Sequence, residues 1–338
     1  MTITCSPIVT GIVGSPFVQG LDLPAALKAQ QRAGAVPGML SAAERALLRE
    51  LVRRTWRGDG VIIDGGSFFG SSLVALATGL EANPKAPIVD LDGFHGGKPI
   101  HGYELGFLPA PASDKVDRRR VFGGVEYLLG DSFVPILKDN IGPHRQFVEL
   151  HIGDLNEETW DGSPVEIAFI DVCKTARLNA HVSREFYPAM IGGASTLVNQ
   201  DFFFDRLPWI KVTMGYLKEY FRWEGQVFTS SIYSNVKAVP QDVAGHDPFT
   251  EDSYEECLAY HDAVEFPGID WKSKYFMSLS RGYLMALKNR KEQALEHLRA
   301  VADEFADLLG DDDNPRGNQF RMDRAVRQIS NGNIFKVS

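Results

Sequence analysis

The 338 residues exceed one average domain and suit an α/β domain of roughly 200 residues with an appendage. A composition 44% hydrophobic and 23% charged marks an ordinary soluble globular chain. Its net charge of −9, with no Lys/Arg stripe and no window of about 18 apolar residues, excludes nucleic acid and membrane as expected partners; a cytoplasmic protein acting on a small molecule is expected instead.

Residues 1–36 carry scattered Gly and Pro and predict an extended arm with one helix over 23–33. Ser41-Ala42-Ala43-Glu44 is a capping box that opens an amphipathic helix reaching about Arg54. Alternation of strand and helix then begins. Residues 61–64 predict a first strand, 71–79 a helix and 87–92 a second strand. Residues 95–125 are Gly/Pro-rich and too long for a routine connection, which predicts a lid. A short helix over 131–140 follows, then strands at 147–152 and 165–171, a helix over 178–190, a strand at 195–199 and a helix over 209–221. Residues 226–231 and 233–239 predict two closing strands.

This alternation implies a Rossmann-like α/β fold, a seven-stranded, mostly parallel sheet with helices on both faces. Residues 37–240 would form that domain. The pattern from 245 to 338 is helical only, at 249–263, 271–309 with a break near 288–290, and 322–329, with a turn at 311–315. This C-terminal appendage could pack on the sheet edge, form a homodimer contact or cap the substrate mouth.

The stretch Val61-Ile62-Ile63-Asp64-Gly65-Gly66-Ser67-Phe68-Phe69-Gly70-Ser71-Ser72 runs from an apolar strand through an acid and a glycine turn to a small-residue helix start. A dinucleotide is held by its phosphates at a helix N-terminus, where an acid at the strand end would repel it. The same acid would attract an ammonium or sulfonium group. S-adenosylmethionine carries both and no phosphate. The dinucleotide fingerprint G-x-G-x-x-G is also interrupted by Ser67-Phe68, which argues against a nicotinamide enzyme. Acids recur at the later predicted strand ends: Asp92 (or Asp90) for the ribose hydroxyls, Asp154 for the adenine amino group, and Asp171. A lone strand-end Asp is often a turn former or helix cap; four in succession are harder to dismiss.

With these motifs the sequence resembles the class I S-adenosylmethionine-dependent methyltransferases, and among them the small-molecule O-methyltransferases of the catechol and macrolide-sugar types. Asp64, Gly66, Gly70 and Ser72 match the methionine-end loop, with Ser67 and Phe68 inside it; Asp92-Gly93-Phe94-His95-Gly96 is similar to the ribose motif, Gly153-Asp154 to the adenine pair, and Asp171-Val172-Cys173-Lys174 to the fourth-strand motif. The resemblance covers about residues 37–240. It implies O-methylation of a natural product or sugar hydroxyl. Lys174, its pKa lowered by desolvation, is the expected base, with His181 the alternative. A surface lysine paired with Asp171 and a structural histidine are the plain alternatives. In the related metal-dependent enzymes an acid precedes the Asn or Asp after the fifth strand; here Gln200 stands in the acid's place and Asp201 in the second. Asp171 and Asp201 would then hold Mg²⁺ more weakly. The aromatics Phe202, Phe203, Phe204, Trp209 and Tyr216 are either a substrate wall or core, and Cys173 is a poor candidate for a nucleophile. A protein of this fold that binds the cofactor without methylating is the competing function.

Overall fold

The computed structural model describes residues 12–33, 36–94, 97–110, 117–310 and 317–334. His95, Gly96 and the predicted turn at 311–315 lie outside them. In chain order the strands are β1 (Ile12–Gly14), β2 (Val61–Gly65), β3 (Ile100–Glu104), β4 (Arg119–Phe122) and β5 (Val125–Leu128). They continue as β6 (Val148–Ile152), β7 (Val165–Ile170), β8 (Thr196–Asn199), β9 (Phe221–Val227) and β10 (Ser230–Asn235). The helices of the sheet domain are α1 (Pro16–Gln19), α2 (Leu23–Ala33), α3 (Ala42–Thr55), α4 (Ser71–Glu81), α5 (Val134–Asn140), α6 (Ala176–Phe186) and α7 (Pro208–Tyr216). Then come α8 (Gln241–Gly245), α9 (Pro248–Glu251), α10 (Tyr254–His261), α11 (Trp271–Leu287), α12 (Lys291–Glu304), α13 (Ala306–Leu309) and α14 (Asn318–Asn331).

Eight strands join in the order β1-β9-β10-β8-β7-β2-β3-β6. The five from β8 to β6 are parallel, while β10, β9 and β1 add antiparallel partners. The fold is thus the expected Rossmann-like one, with eight strands in place of seven because the N-terminal arm contributes β1 to the edge. Period-two alternation splits the core across the sheet. Ile62, Ile167 and Phe169 join Leu47, Leu51, Leu73 and Leu76 of α3 and α4 on one face. Ile63, Ala168 and Ile170 join Val182, Phe186, Trp209 and Ile210 of α6 and α7 on the other.

One strand lies elsewhere than predicted. Residues 86–93 form two short 3-10 turns, and the neighbour of β2 is β3, inside the stretch predicted as a lid. The β4–β5 hairpin follows it. Phe122 on it packs edge-on against Phe68 and Phe69 in the loop after β2, and Tyr127 and Phe133 complete that aromatic cluster. The closing hairpin also starts earlier: the helix predicted to Phe221 ends at Tyr216, and Phe221 opens β9.

The C-terminal helices build a second core from Tyr275, Leu279, Tyr283, Leu298, Met322 and Ile329. The break predicted near 288–290 separates α11 from α12, with Asn289 at φ +61°. The helix predicted over 249–263 is two shorter ones, α9 and α10, interrupted at Asp252-Ser253, where Ser253 caps the second. No helix among the described residues is long and apolar enough to cross a membrane.

Candidate active site

Five parallel strands bring their C-terminal ends to one rim. The strand order reverses at β2: the chain adds β3 and β6 on one side, then β7 and β8 on the other. Such a switch point opens a crevice at the rim. Asp64 in β2 and Asp171 just past β7 stand at the C-terminal ends of adjacent strands, tied by the Asp171 N–H donating to the Gly65 carbonyl at 2.7 Å. Gly66 is required here. It holds φ at +99°, and a Cβ on it would stand 3.0 Å from the Asp171 backbone.

Asp64 is fully buried. One carboxylate oxygen, Oδ2, accepts from Ser67 Oγ at 2.7 Å and from Ser72 Oγ at 2.9 Å. The other, Oδ1, is buried and has no partner. Burial outweighs the two serine hydrogen bonds and pushes this carboxyl up to about 7. Ser67 and Ser72 are thus both bonded to Asp64, and Gly70 serves as the left-handed N-cap of α4. Phe68 has φ +47°, and its N–H donates to Glu104 Oε2 at 2.6 Å.

Glu104 is the acid that ends the strand beside β2, and sequence reading missed it. Asp92, expected in that place, is exposed in a 3-10 turn, and Asp90 caps that turn by accepting from the Asp92 N–H at 3.1 Å. Asp90 borders a cavity of about 220 Å³ with Gly60, Val61 and Pro164, at the N-terminal ends of β2 and β7, so this turn lies at the opposite edge of the sheet. The ribose assignment to Asp92 is corrected on that ground. Glu104 accepts from Phe68 and from Gly106, and its carboxyl is raised by burial. Asp154 does stand just past β6 at the rim; it is exposed and accepts from Asn156 N–H at 3.0 Å, which lowers its carboxyl.

On the other side of the crevice the Lys174 ammonium donates to Asp171 Oδ1 at 2.6 Å and to Asp201 Oδ2. Two carboxylates hold this half-exposed lysine well above the usual range. The expectation of a lowered pKa is therefore corrected. For Asp171 burial is the largest influence and acts upward, opposed by Lys174. His181 turns away from this group. Its Nδ1 lies 2.7 Å from Arg184, it feels Glu158 and Asp154, and burial lowers it, which places it at the Asp154 end.

The metal donor set does not fit. A lysine ammonium fills the cation position between Asp171 and Asp201, and no cluster of three or more His, Cys, Asp or Glu suited to a metal occurs among the described residues. Gln200 turns its amide to Thr229 Oγ1 at 3.2 Å and toward Glu44 Oε1 at 3.5 Å. The predicted metal role of Gln200 is corrected accordingly. Glu44 is the second residue missed. Its capping box with Ser41 is legible, yet the carboxylate is buried beneath the rim, where Ser230 and Thr229 also donate to it. Phe202, Phe203 and Trp209 are core, at most 1% exposed, and Cys173 is buried with its thiol pushed far up.

No family model matches the chain, and no curated protein matches it. Among solved structures it is similar to the crystal structure of CalS11, a calicheamicin methyltransferase, at 14% identity and a TM-score of 0.40, over 69% of this chain and 98% of that one.

A signal for Glu104 does exist in the sequence. Pro99 introduces five residues that end in an acid, followed by Leu-Gly, but the glycine and histidine inside them weaken the strand pattern.

Proposed function

We propose that this chain is an S-adenosylmethionine-dependent O-methyltransferase acting on a hydroxyl of a small natural product or sugar. The observation that carries the reading is the buried, unpartnered Oδ1 of Asp64 at the switch point of the sheet. A buried acceptor without a donor is costly unless a ligand supplies one. Glu104 acts on it electrostatically, and past the adjacent strand Asp171 and Asp201 share the Lys174 ammonium between them. An acidic rim of this kind repels a pyrophosphate and suits a donor bearing ammonium and sulfonium charges.

In this reading Asp64 takes the ammonium of the methionine end, Glu104 the ribose hydroxyls and Asp154 the adenine end. Gly66 lets the backbone approach the ligand. The bound donor supplies an electrophilic methyl group. Asp171 accepts the proton that the acceptor hydroxyl loses, and Lys174, kept protonated, holds the Asp171 and Asp201 carboxylates and orients that hydroxyl. The aromatic lid at Phe68, Phe69 and Phe122 excludes water from the methionine end.

Isothermal calorimetry with S-adenosylhomocysteine and with NADH tests the reading. Saturable heat with the first and none with the second is expected, and Asp64→Asn is expected to weaken the first by at least about tenfold. Binding of NADH alone would refute it.

A further inference from the structure

Three non-glycine residues among those described have φ in the left-handed region: Phe68, Phe228 and Asn289. Asn tolerates that conformation, and Asn289 is accounted for by its residue type. Phe68 is accounted for by packing: it is 8% exposed and stacks on Phe69 with ring centroids 4.0 Å apart. Phe228 has neither explanation. Its φ is +55° and its side chain is 61% exposed.

The turn that carries it is as short as a hairpin allows. Val227 of β9 pairs with Ser230 of β10, leaving Phe228-Thr229 as the two-residue connection. A positive φ at the first of two such residues is where glycine fits without strain, and a bulky side chain there is an outlier. Strain of this sort persists where it serves a site.

The turn lies on the acidic rim. β10 runs antiparallel to β8, with Ser231 opposite Asn199, so the hairpin tip comes to the C-terminal ends of the parallel strands. Thr229 donates to Glu44 at 3.2 Å, receives the Gln200 amide at 3.2 Å, and its carbonyl accepts from the Phe203 N–H. Gln200 directly precedes Asp201, one of the two carboxylates on Lys174. The hairpin is thereby anchored through Thr229, while its neighbour presents a large apolar ring to solvent.

We propose that Phe228 is an acceptor-binding residue whose ring forms a flat apolar wall for a ring-bearing acceptor and so sets which hydroxyl reaches Asp171. This rests on the methyltransferase reading above. The shared chemistry is a planar or flat ring face next to the reacting hydroxyl, as an aryl ring or the apolar face of a sugar offers.

Methyl transfer from S-adenosylmethionine to two probes, catechol and methyl β-D-glucopyranoside, tests it in the full-length protein and in Phe228→Gly, with Phe228→Trp as the conservative variant. In Phe228→Gly the KM for at least one probe is expected to rise about tenfold with kcat within about twofold. S-adenosylhomocysteine affinity should be unchanged, and the thermal midpoint unchanged or higher, because the turn regains its favoured residue. Phe228→Trp should keep the parental KM. Which probe responds tells an aryl from a sugar face. An unaltered KM, a lowered midpoint with unaltered KM, or methylation of neither probe by a parent protein that binds S-adenosylhomocysteine would each overturn the proposal. A parent that does not bind S-adenosylhomocysteine would instead remove the methyltransferase reading on which it stands.

Discussion

Lys174 lies 2.6 Å from Asp171 and bridges it to Asp201, so two carboxylates at the ends of adjacent strands share one ammonium. The lysine side chain is half exposed, and what holds its proton is the pair of charges, not seclusion from water. Lys174→Ala is expected to lower turnover about 10²-fold while changing S-adenosylhomocysteine affinity less than about threefold. Lys174→Arg should retain much of the activity, since it keeps the charge; a neutral base could not be replaced that way. Chelators should leave the parent protein unaffected, because the position a divalent ion would need is taken. Steady-state kinetics with and without EDTA, beside calorimetry on the variants, checks all three.

Asp64 makes stability depend on pH with a definite sign. Its carboxyl is raised from an unfolded value near 3.8 to about 7 in the fold, so the folded state binds the extra proton between those values. The stability this contributes is fully present below about pH 4 and is lost as pH rises through 7. Asp64→Asn, which stays neutral, is therefore expected to be more stable than the parent at pH 8, by at most about 4 kcal/mol, with the gain vanishing toward pH 4. Urea denaturation at the two pH values decides it. An equal difference at both would mean that packing, and not ionisation, sets the effect.

Gly66→Ala should separate the backbone argument from the charge argument. The added Cβ would press on the Asp171 backbone at 3.0 Å and force a φ of +99° on an L residue. A stability loss of about 1–3 kcal/mol is expected, together with loss of S-adenosylhomocysteine binding even though every acid remains. Calorimetry on the folded variant reads the second effect.

Much of the framework is legible in residue order. The β2 run Val61-Ile62-Ile63, the β7 run and the Ser41 capping box appear where the periodicity puts them, since each depends on local pattern. The second strand of the parallel sheet is different. Ile88-Val89-Asp90-Leu91-Asp92 has the better local strand pattern, while Ile100–Glu104 carries a histidine and a glycine at its centre. The glycine is there because a Cβ on Gly102 would meet Leu73 of α4 at 2.9 Å. Tertiary packing thus chose the weaker local strand, and the acid at its end is Glu104, not Asp92. The burial of Glu44 was equally hidden, because it depends on β10 returning beside β8. Asp201 is legible as a site acid, but that its charge goes to Lys174, 27 residues away in sequence, and not to a metal depends on the strand packing.

The C-terminal helices are tied to the same rim through one buried charge. Asp205, in the loop that follows Asp201, is 0% exposed and accepts from Arg321 Nη1 at 2.8 Å and from Arg324 Nη2 at 2.5 Å, both on α14. The two guanidinium groups are themselves mostly buried. Removing the carboxylate leaves them crowded without their counter-ion, which costs more than the pair contributes when intact. Asp205→Ala is therefore expected to destabilise the protein by about 3–5 kcal/mol in urea denaturation, and to raise hydrogen exchange over Asn318–Asn331 before that over β2 or β7. Asp205→Asn, which can accept from one arginine but carries no charge, should fall between. Because Arg321 also lies over the Phe276 ring at 4.4 Å, an Asp205→Ala, Arg321→Met, Arg324→Met triple variant keeps apolar bulk while discarding all three charges. Recovery of most of the lost stability in that variant would assign the penalty to unpaired cations; no recovery would assign it to the geometry of the latch itself.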